Sequence, residues 1–450
     1  MSEIENLKAR VDRLFPKQLA FLTDLVAIES VSSDPSKAEE MTRAAGFVRD
    51  SFSGLGFDAR ICTARTEDGT PGQPAVIATK VQDPSLPTVL LYAHYDVQPP
   101  GDPSGWTSPA FQAEVRDGRI YGRGTSDDGA GIAVHYGALE ALGDPLPVNV
   151  TVFVEGEEEV GSPSFSDFLD KYKADLNADV IIVADSSNWT EQVPAITSSL
   201  RGVATVDVTV NVLDQAVHSG VFGGPVLDAI TVAARLITTL HDSSGTVLIE
   251  GLGGNPVSEV EWDEASFRAD AGVIDGLELA GTGDLAARVW TMPAISVIGI
   301  DAPSVAESAN AIVPKCTFRL SLRTVPGSDS GEAAAALVRH LESHVPFGAE
   351  LTAKVVEQGP SYIADLESKE ARLLSQVLTE AYGEPAVAVG LGGSIPFISE
   401  FERVFPNAAI LVTGVEDPAT KAHSDDESQS LAILRNATVA EAQLLRALGA

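Results

Sequence analysis

The feature that most narrows the fold is a change in strand character near residue 199. Before it, Ala75–Thr79, Val89–Tyr92, Asn149–Val154 and Val180–Ala184 are nearly unbroken apolar runs. Such runs suit strands buried on both faces of a largely parallel sheet. A helical stretch, Ala130–Leu142, separates two of them, the alternation of an α/β layer. After residue 199 the stretch Val203–Val212 (VATVDVTVNV) alternates apolar and polar residues, as a strand with one wet face does. A helix over Pro225–Leu240, alternating strands over Ala294–Ile300 and Cys316–Arg323, a helix over Ser330–Glu342 and a strand over Glu350–Glu357 follow. That order is β-α-β-β-α-β, the ferredoxin-like unit, with 245–292 as an extension inside it. Beyond Gly359-Pro360 the α/β style returns, with a helix over Glu367–Tyr382, strands over Ala386–Val389 and Ala408–Thr413, and a final helix over Ser428–Leu448. The expectation is a discontinuous α/β domain, 1–198 with 359–450, and an inserted α+β domain, 199–358. Near the start, Ile4–Ile28 has helical spacing, with Pro16 expected to separate two helices.

Charge bounds the partners. The chain of 450 residues has a formal net charge of −34, which repels nucleic acid and anionic membrane surfaces. Solubility, or a salty environment, accounts for it. Only Cys62 and Cys316 are present, so no disulfide framework beyond one bridge and no thiolate zinc cluster is possible. The first residues lack the basic and then apolar regions of a signal peptide, and no apolar run is long enough to span a bilayer. A cytoplasmic location is the expectation.

Five short segments carry chemistry. His94-Tyr95-Asp96 ends an apolar strand. Gly122-Arg123-Gly124-Thr125-Ser126-Asp127-Asp128-Gly129 opens a helix. Glu157-Glu158-Glu159 follows the Asn149–Val154 run, Asp185 ends another strand, and His423 precedes the last helix. Each alone has an ordinary explanation: a strand-end hydrogen bonder, a helix N-cap, a turn acid. Asp425, Asp426 and Glu427 read as first-turn acids of the last helix. Together the segments bring imidazole and carboxylate groups to the carboxyl edge of a parallel sheet, where α/β folds place ligands. Nitrogen and oxygen donors without thiolate suit Zn²⁺ or harder ions such as Mn²⁺. There are more carboxylates than one tetrahedral ion needs, so a two-metal site with a shared carboxylate is the economical arrangement.

In this combination and order the chain resembles the M20 family of metallopeptidases and deacylases, closest to its carnosinase and cytosolic non-specific dipeptidase group. The resemblance covers nearly the whole chain. It implies that His94 and Asp185 bind one metal, Glu159 and His423 the other, and Asp127 bridges them across a cis Asp127–Asp128 peptide. Glu158 is then the general base and acid, and Asp96 orients the His94 ring. The two divalent ions are expected to be Zn²⁺, with Mn²⁺ or Co²⁺ as alternatives. The 199–358 domain becomes a lid and dimerisation domain. His218, in His218-Ser219-Gly220-Val221-Phe222-Gly223-Gly224, stabilises the oxyanion in the partner's site of a homodimer. Arg323 grips the substrate carboxylate, and Asn310, Gly393 and Ser394 line the pocket. Arg319 shares the face of Arg323 by period two, and only the resemblance selects between them.

The implied activity is hydrolysis of dipeptides or very short peptides with a free C-terminal carboxylate. The rivals are an N-acyl amino acid deacylase of the same family and a non-catalytic binding protein on the same fold. No Gly-x-Ser-x-Gly elbow or dinucleotide fingerprint is present. Glu157 reads as a bystander and His135 as packing, while His241, His340 and His344 have no motif around them.

Overall fold

The structure is a computed structural model that describes residues 3–393 and 396–450. The chain forms two compact units. One comprises Met1–Ser198, Ala364–Val389 and Pro396–Ala450; the other comprises Ser199–Ile363 with Gly390–Ile395. The short piece Gly390–Gly393 thus groups with the inserted segment, which the sequence pattern gave no reason to expect.

In the first unit the central sheet runs Asp58–Cys62, Ala75–Lys80, Asn149–Glu155, Thr88–His94, Val180–Ser187, Ala409–Glu416. The two outer pairs, Asp58–Cys62 with Ala75–Lys80 and Ala75–Lys80 with Asn149–Glu155, are antiparallel. The other three pairings are parallel, so the middle of the sheet, with helices on its faces, is parallel; beyond Ala409–Glu416 it continues antiparallel into Ala195–Leu200. Period two decides the sides. Val89, Leu91, Ala93, Val150, Val152, Val154, Val180, Ile182 and Ala184 join one core with the helices Glu3–Val26, Gly129–Leu142 and Leu431–Leu448. Tyr92 and Phe153 point the other way, into an aromatic cluster with Phe165, Phe168, Phe397 and Phe401. His94, Glu155 and Asp185 follow on this second side.

Pro16 separates nothing: Glu3–Val26 is one helix with Pro16 inside it. Leu7, Val11, Phe21, Leu22 and Leu25 bury a continuous stripe, and that packing outweighs the local cost of proline.

His135 is more than packing. It is fully buried, with Nδ1 2.8 Å from Glu441 Oε2 and Nε2 3.0 Å from the Tyr92 carbonyl. Burial opposes its charge, but Glu441 outweighs burial and raises its pKa. A raised imidazole stabilises the fold fully below its unfolded value of about 6.5, and that stabilisation is lost as pH rises through the folded value. Urea unfolding of the parent and Glu441→Gln is therefore expected to show a stability gap that is widest at pH 6 and narrows toward alkaline pH. A gap independent of pH would contradict the charged pair.

The second unit is a four-stranded antiparallel sheet in the order Ala294–Asp301, Lys315–Thr324, Gly202–Asn211, Glu350–Gly359. The helices Ala229–Ile237 and Ser330–His344 pack on it around Val206, Val208, Phe318 and Leu320. The first of these helices starts at Ala229 rather than near Pro225, because Asp228 caps it by accepting from the Thr231 amide. The edge strand Ala294–Asp301 was expected to have one wet face. Instead it is exposed from Ser296 onward, including Val297, Ile298 and Ile300, with a register shift at Val297/Gly299. Among the described residues no helix is long and apolar enough to cross a membrane.

Candidate metal centre

Parallel pairing brings the candidate groups level. His94 pairs with Glu155, and Tyr92 with both Phe153 and Val183, so His94 and Asp185 extend side by side. Just past the Glu155 strand, a single 3-10 turn, Glu158–Val160, carries the two adjacent glutamates. Asp96 fixes that turn: its Oδ1 and Oδ2 accept from the Glu158 and Glu159 amides, each at 3.1 Å. The His94 ring is held mainly by the Asp96 backbone carbonyl, 3.0 Å from Nδ1, while the nearest Asp96 carboxylate oxygen is at 3.4 Å. Asp96 thus meets the His94 ring through its carbonyl and, at longer range, its carboxylate, which also serves the glutamate turn.

Asp127 lies between the two histidines. Its Oδ1 is 3.1 Å from His94 Nε2 and its Oδ2 is 2.8 Å from His423 Nε2. On the first side His94 Nε2 is 3.9 Å from both Asp185 Oδ2 and Glu158 Oε2. On the second, His423 Nε2 is 3.2 Å from Glu159 Oε2. Gln98 aims that carboxylate, donating its amide to Oε1 at 3.0 Å and its side chain to Oε2 at 2.8 Å. The Asp127–Asp128 peptide is cis. Asp128 caps the helix Gly129–Leu142 through Gly131 N, and it accepts from His94 N. Its ligand atoms also cluster with those of His94 and Asp185, while Asp127 clusters with Glu159 and His423. Both Asp128 oxygens already take backbone amides, which leaves Asp127 as the carboxylate facing both histidines.

Close packing shapes this loop. A Cβ on Gly124, whose φ is +77°, would lie 2.5 Å from Val97 Cγ1; one on Gly131 would lie 2.6 Å from the Ala184 carbonyl oxygen. Glu427 holds the loop from behind. It is fully buried and accepts from the amides of Gly124, Ser126 and Asp127 at 3.1, 3.0 and 3.2 Å, and from Arg123 Nη1 at 2.5 Å. It is therefore not a first-turn acid. The strand Ser428–Ser430 pairs with Arg119–Tyr121, and the last helix begins only at Leu431, capped by Ser430. Glu157 is no bystander either: it is buried and accepts from Gln73 N, Ser164 N and Ser164 Oγ, closing the turn.

The electrostatics suit a cation site. Burial lifts Asp185 to about 7 and Glu158 to about 9; Asp185, Glu155 and Asp127 add to the rise of Glu158 while His94 opposes it. Hydrogen bonds to Asp127 and Glu159 raise His423 to about 10. The imidazoles hold protons among crowded carboxylates, and metal binding would displace such protons. His94 Nε2 is buried without a directed hydrogen bond. That orphaned nitrogen, set among carboxylate oxygens, fits divalent ions of the zinc or manganese kind.

The remaining candidates lie in the second unit. The ribbon Val217–His218 pairs with Ala311–Ile312, and Ser219 N donates to the Asn310 carbonyl, so His218 and Asn310 share one exposed ribbon. Arg319 is bidentate to Asp207, at 2.5 and 2.8 Å. Arg323 has no acidic partner among the described residues. The structure thus distinguishes two arginines that strand spacing left equivalent. Gly393 lies in the second unit, and Ser394 lies outside the described residues.

The family model for peptidase family M20/M25/M40 matches residues 90–447. The chain belongs to this family. The M20 chain is 32% identical over 451 residues to the cysteinylglycine-S-conjugate dipeptidase of Corynebacterium striatum, covering 99% of this chain and 97% of that one. It is 27% identical to the Beta-Ala-His dipeptidase of Homo sapiens, covering 87% and 82%. In fold it is similar to the di-peptidase Dug1p from Saccharomyces cerevisiae, with a TM-score of 0.78, 24% identity and coverage of 100% and 99%. As a member of the family it is a metallopeptidase, with residue groups placed to hold metal ions.

Proposed function

We propose that the protein hydrolyses dipeptides or very short peptides bearing a free C-terminal carboxylate. Asp127 carries the proposal: one of its oxygens faces His94 and the other His423, with Glu158 beside them. The relatives named as dipeptidases support the substrate class. In this reading His94 and Asp185 would hold one divalent ion and Glu159 and His423 the other, with Asp127 facing both. Bound there, the ions would supply a water that ionises near neutrality and a polarised scissile carbonyl. Glu158, beside His94, is placed to take a proton from the attacking water and to hand it to the leaving amine. Its carboxyl, at about 9 with only protein groups around it, comes down when positive charge is bound beside it. His218 donates to the developing oxyanion, and Arg323 takes the substrate carboxylate as a planar fork. Asn310, Gly393 and Ser394 complete the pocket.

Zn²⁺, Mn²⁺ and Co²⁺ forms are to be assayed side by side on dipeptides and on N-acyl amino acids. Dipeptide turnover that disappears on chelation and returns with metal is expected. Turnover of the acyl compounds alone would replace this reading with a deacylase.

We further propose a homodimer through the second unit, supported by the exposed apolar edge at Val297, Ile298 and Ile300. Sedimentation of Ile298→Lys/Ile300→Lys is expected to give a monomer with little activity. A fully active monomer would refute both the assembly and the role of His218 in a partner's site.

A further inference from the structure

Arg201 is a buried cation with no acidic partner among the described residues. It is 7% exposed. Its Nε donates to the Gly392 carbonyl at 3.0 Å and its Nη1 to the Met292 carbonyl at 3.3 Å. Its own amide donates to the Leu391 carbonyl. Among the described residues no acid pairs with it; its charged neighbour is Arg323, another arginine. Burial first, and Arg323 second, push its guanidinium down to about 10, which still leaves it charged at neutral pH.

Burying a charge without a partner is costly, and two like charges together add to that cost. Arg319, on the same strand as Arg323, is neutralised by Asp207. Among the described residues, then, Arg319 has an acidic partner while Arg201 and Arg323 have none. Room adjoins them. A Cβ on Gly393 would meet nothing within 4 Å, whereas one on Gly392 would lie 3.1 Å from Arg201 Nη2. Two cations thus stand beside a turn of two glycines.

We propose that Arg201 is the positioning residue of a carboxylate subsite, anchoring the Gly392–Gly393 turn and placing a second positive charge behind Arg323. The ligand class is a planar carboxylate, and on the dipeptidase reading, on which this rests, it is the C-terminus of the substrate. Arg201 acts through Gly392 and Arg323 and does not itself touch the reacting atoms.

The test compares a dipeptide with its C-terminal carboxamide as substrates for the metal-loaded parent, Arg201→Met and Arg201→Lys. The parent is expected to favour the acid. In Arg201→Met the KM for the acid rises about tenfold or more while kcat stays within a few-fold, and the carboxamide is barely affected. The preference for the acid therefore collapses, and Arg201→Lys, which keeps the charge but not the fork, recovers part of it. A purely structural arginine gives a different result: both substrates lose equally, and the acid-to-amide ratio of kcat/KM is unchanged. That outcome overturns the proposal, and if Arg201→Met does not fold, the same ratio in Arg201→Lys decides. A parent that cleaves dipeptides without distinguishing acid from amide removes the subsite but spares the dipeptidase reading. A parent that cleaves none removes both.

Discussion

Glu158→Ala is expected to abolish turnover while the protein keeps its metal, and Glu159→Ala to lose metal. The two residues are adjacent in one 3-10 turn, yet their carboxylates are held differently. Glu159 is aimed from two directions by Gln98 and faces His423, the situation of a fixed ligand. The Glu158 side chain makes no hydrogen bond among the described residues; only its backbone is tied, to Asp96 and Gly161. It is thus free to turn between a water and a leaving amine. Loss of a general base costs roughly 10²–10⁴ in rate, so residual activity below about one per cent is expected for Glu158→Ala. Metal analysis of purified protein, run beside the assay, separates the two roles. Equal metal loss in both variants would contradict the division of labour.

The sheet and its functional edge were legible because burial on both faces leaves nearly unbroken apolar runs, and a lone acid or histidine ending such a run stands out. Period two then fixes the side on which His94 and Asp185 emerge, as the register bears out. Other features had no local signature. Glu427 lies between Asp426 and a polar segment, and nothing near it in sequence shows that its partners are some 300 residues away. Arg201 looks like any arginine between two strands until its burial without an acidic partner among the described residues is seen in three dimensions. Pro16 was misleading for the opposite reason: its local rule is strong, but long-range packing of the Leu7 to Leu25 stripe outweighs it. What remained hidden depends on contacts between distant segments, which neither periodicity nor composition encodes.

The second large effect is expected at Glu427. One carboxylate satisfies three loop amides and the Arg123 guanidinium, and both side chains are essentially shut off from water, at 0% and 2% exposure. Glu427→Leu leaves a buried arginine uncompensated, which typically costs about 3–5 kcal/mol, a large share of the roughly 5–15 kcal/mol that holds a domain together. It also releases the amide of Asp127, the residue that faces both histidines, so metal affinity falls about 10–100-fold, as when the support of a metal ligand is removed. Urea unfolding of the metal-free protein reads the first effect and Zn²⁺ titration the second. The double variant Arg123→Met/Glu427→Leu separates them. With the charge gone from both partners, much of the stability returns, but the three amides still lack an acceptor and Asp127 is still unanchored. Stability should therefore recover while metal affinity stays low. If affinity returned with stability, Glu427 would matter only as the partner of Arg123, and the loop would owe its shape to its glycines alone.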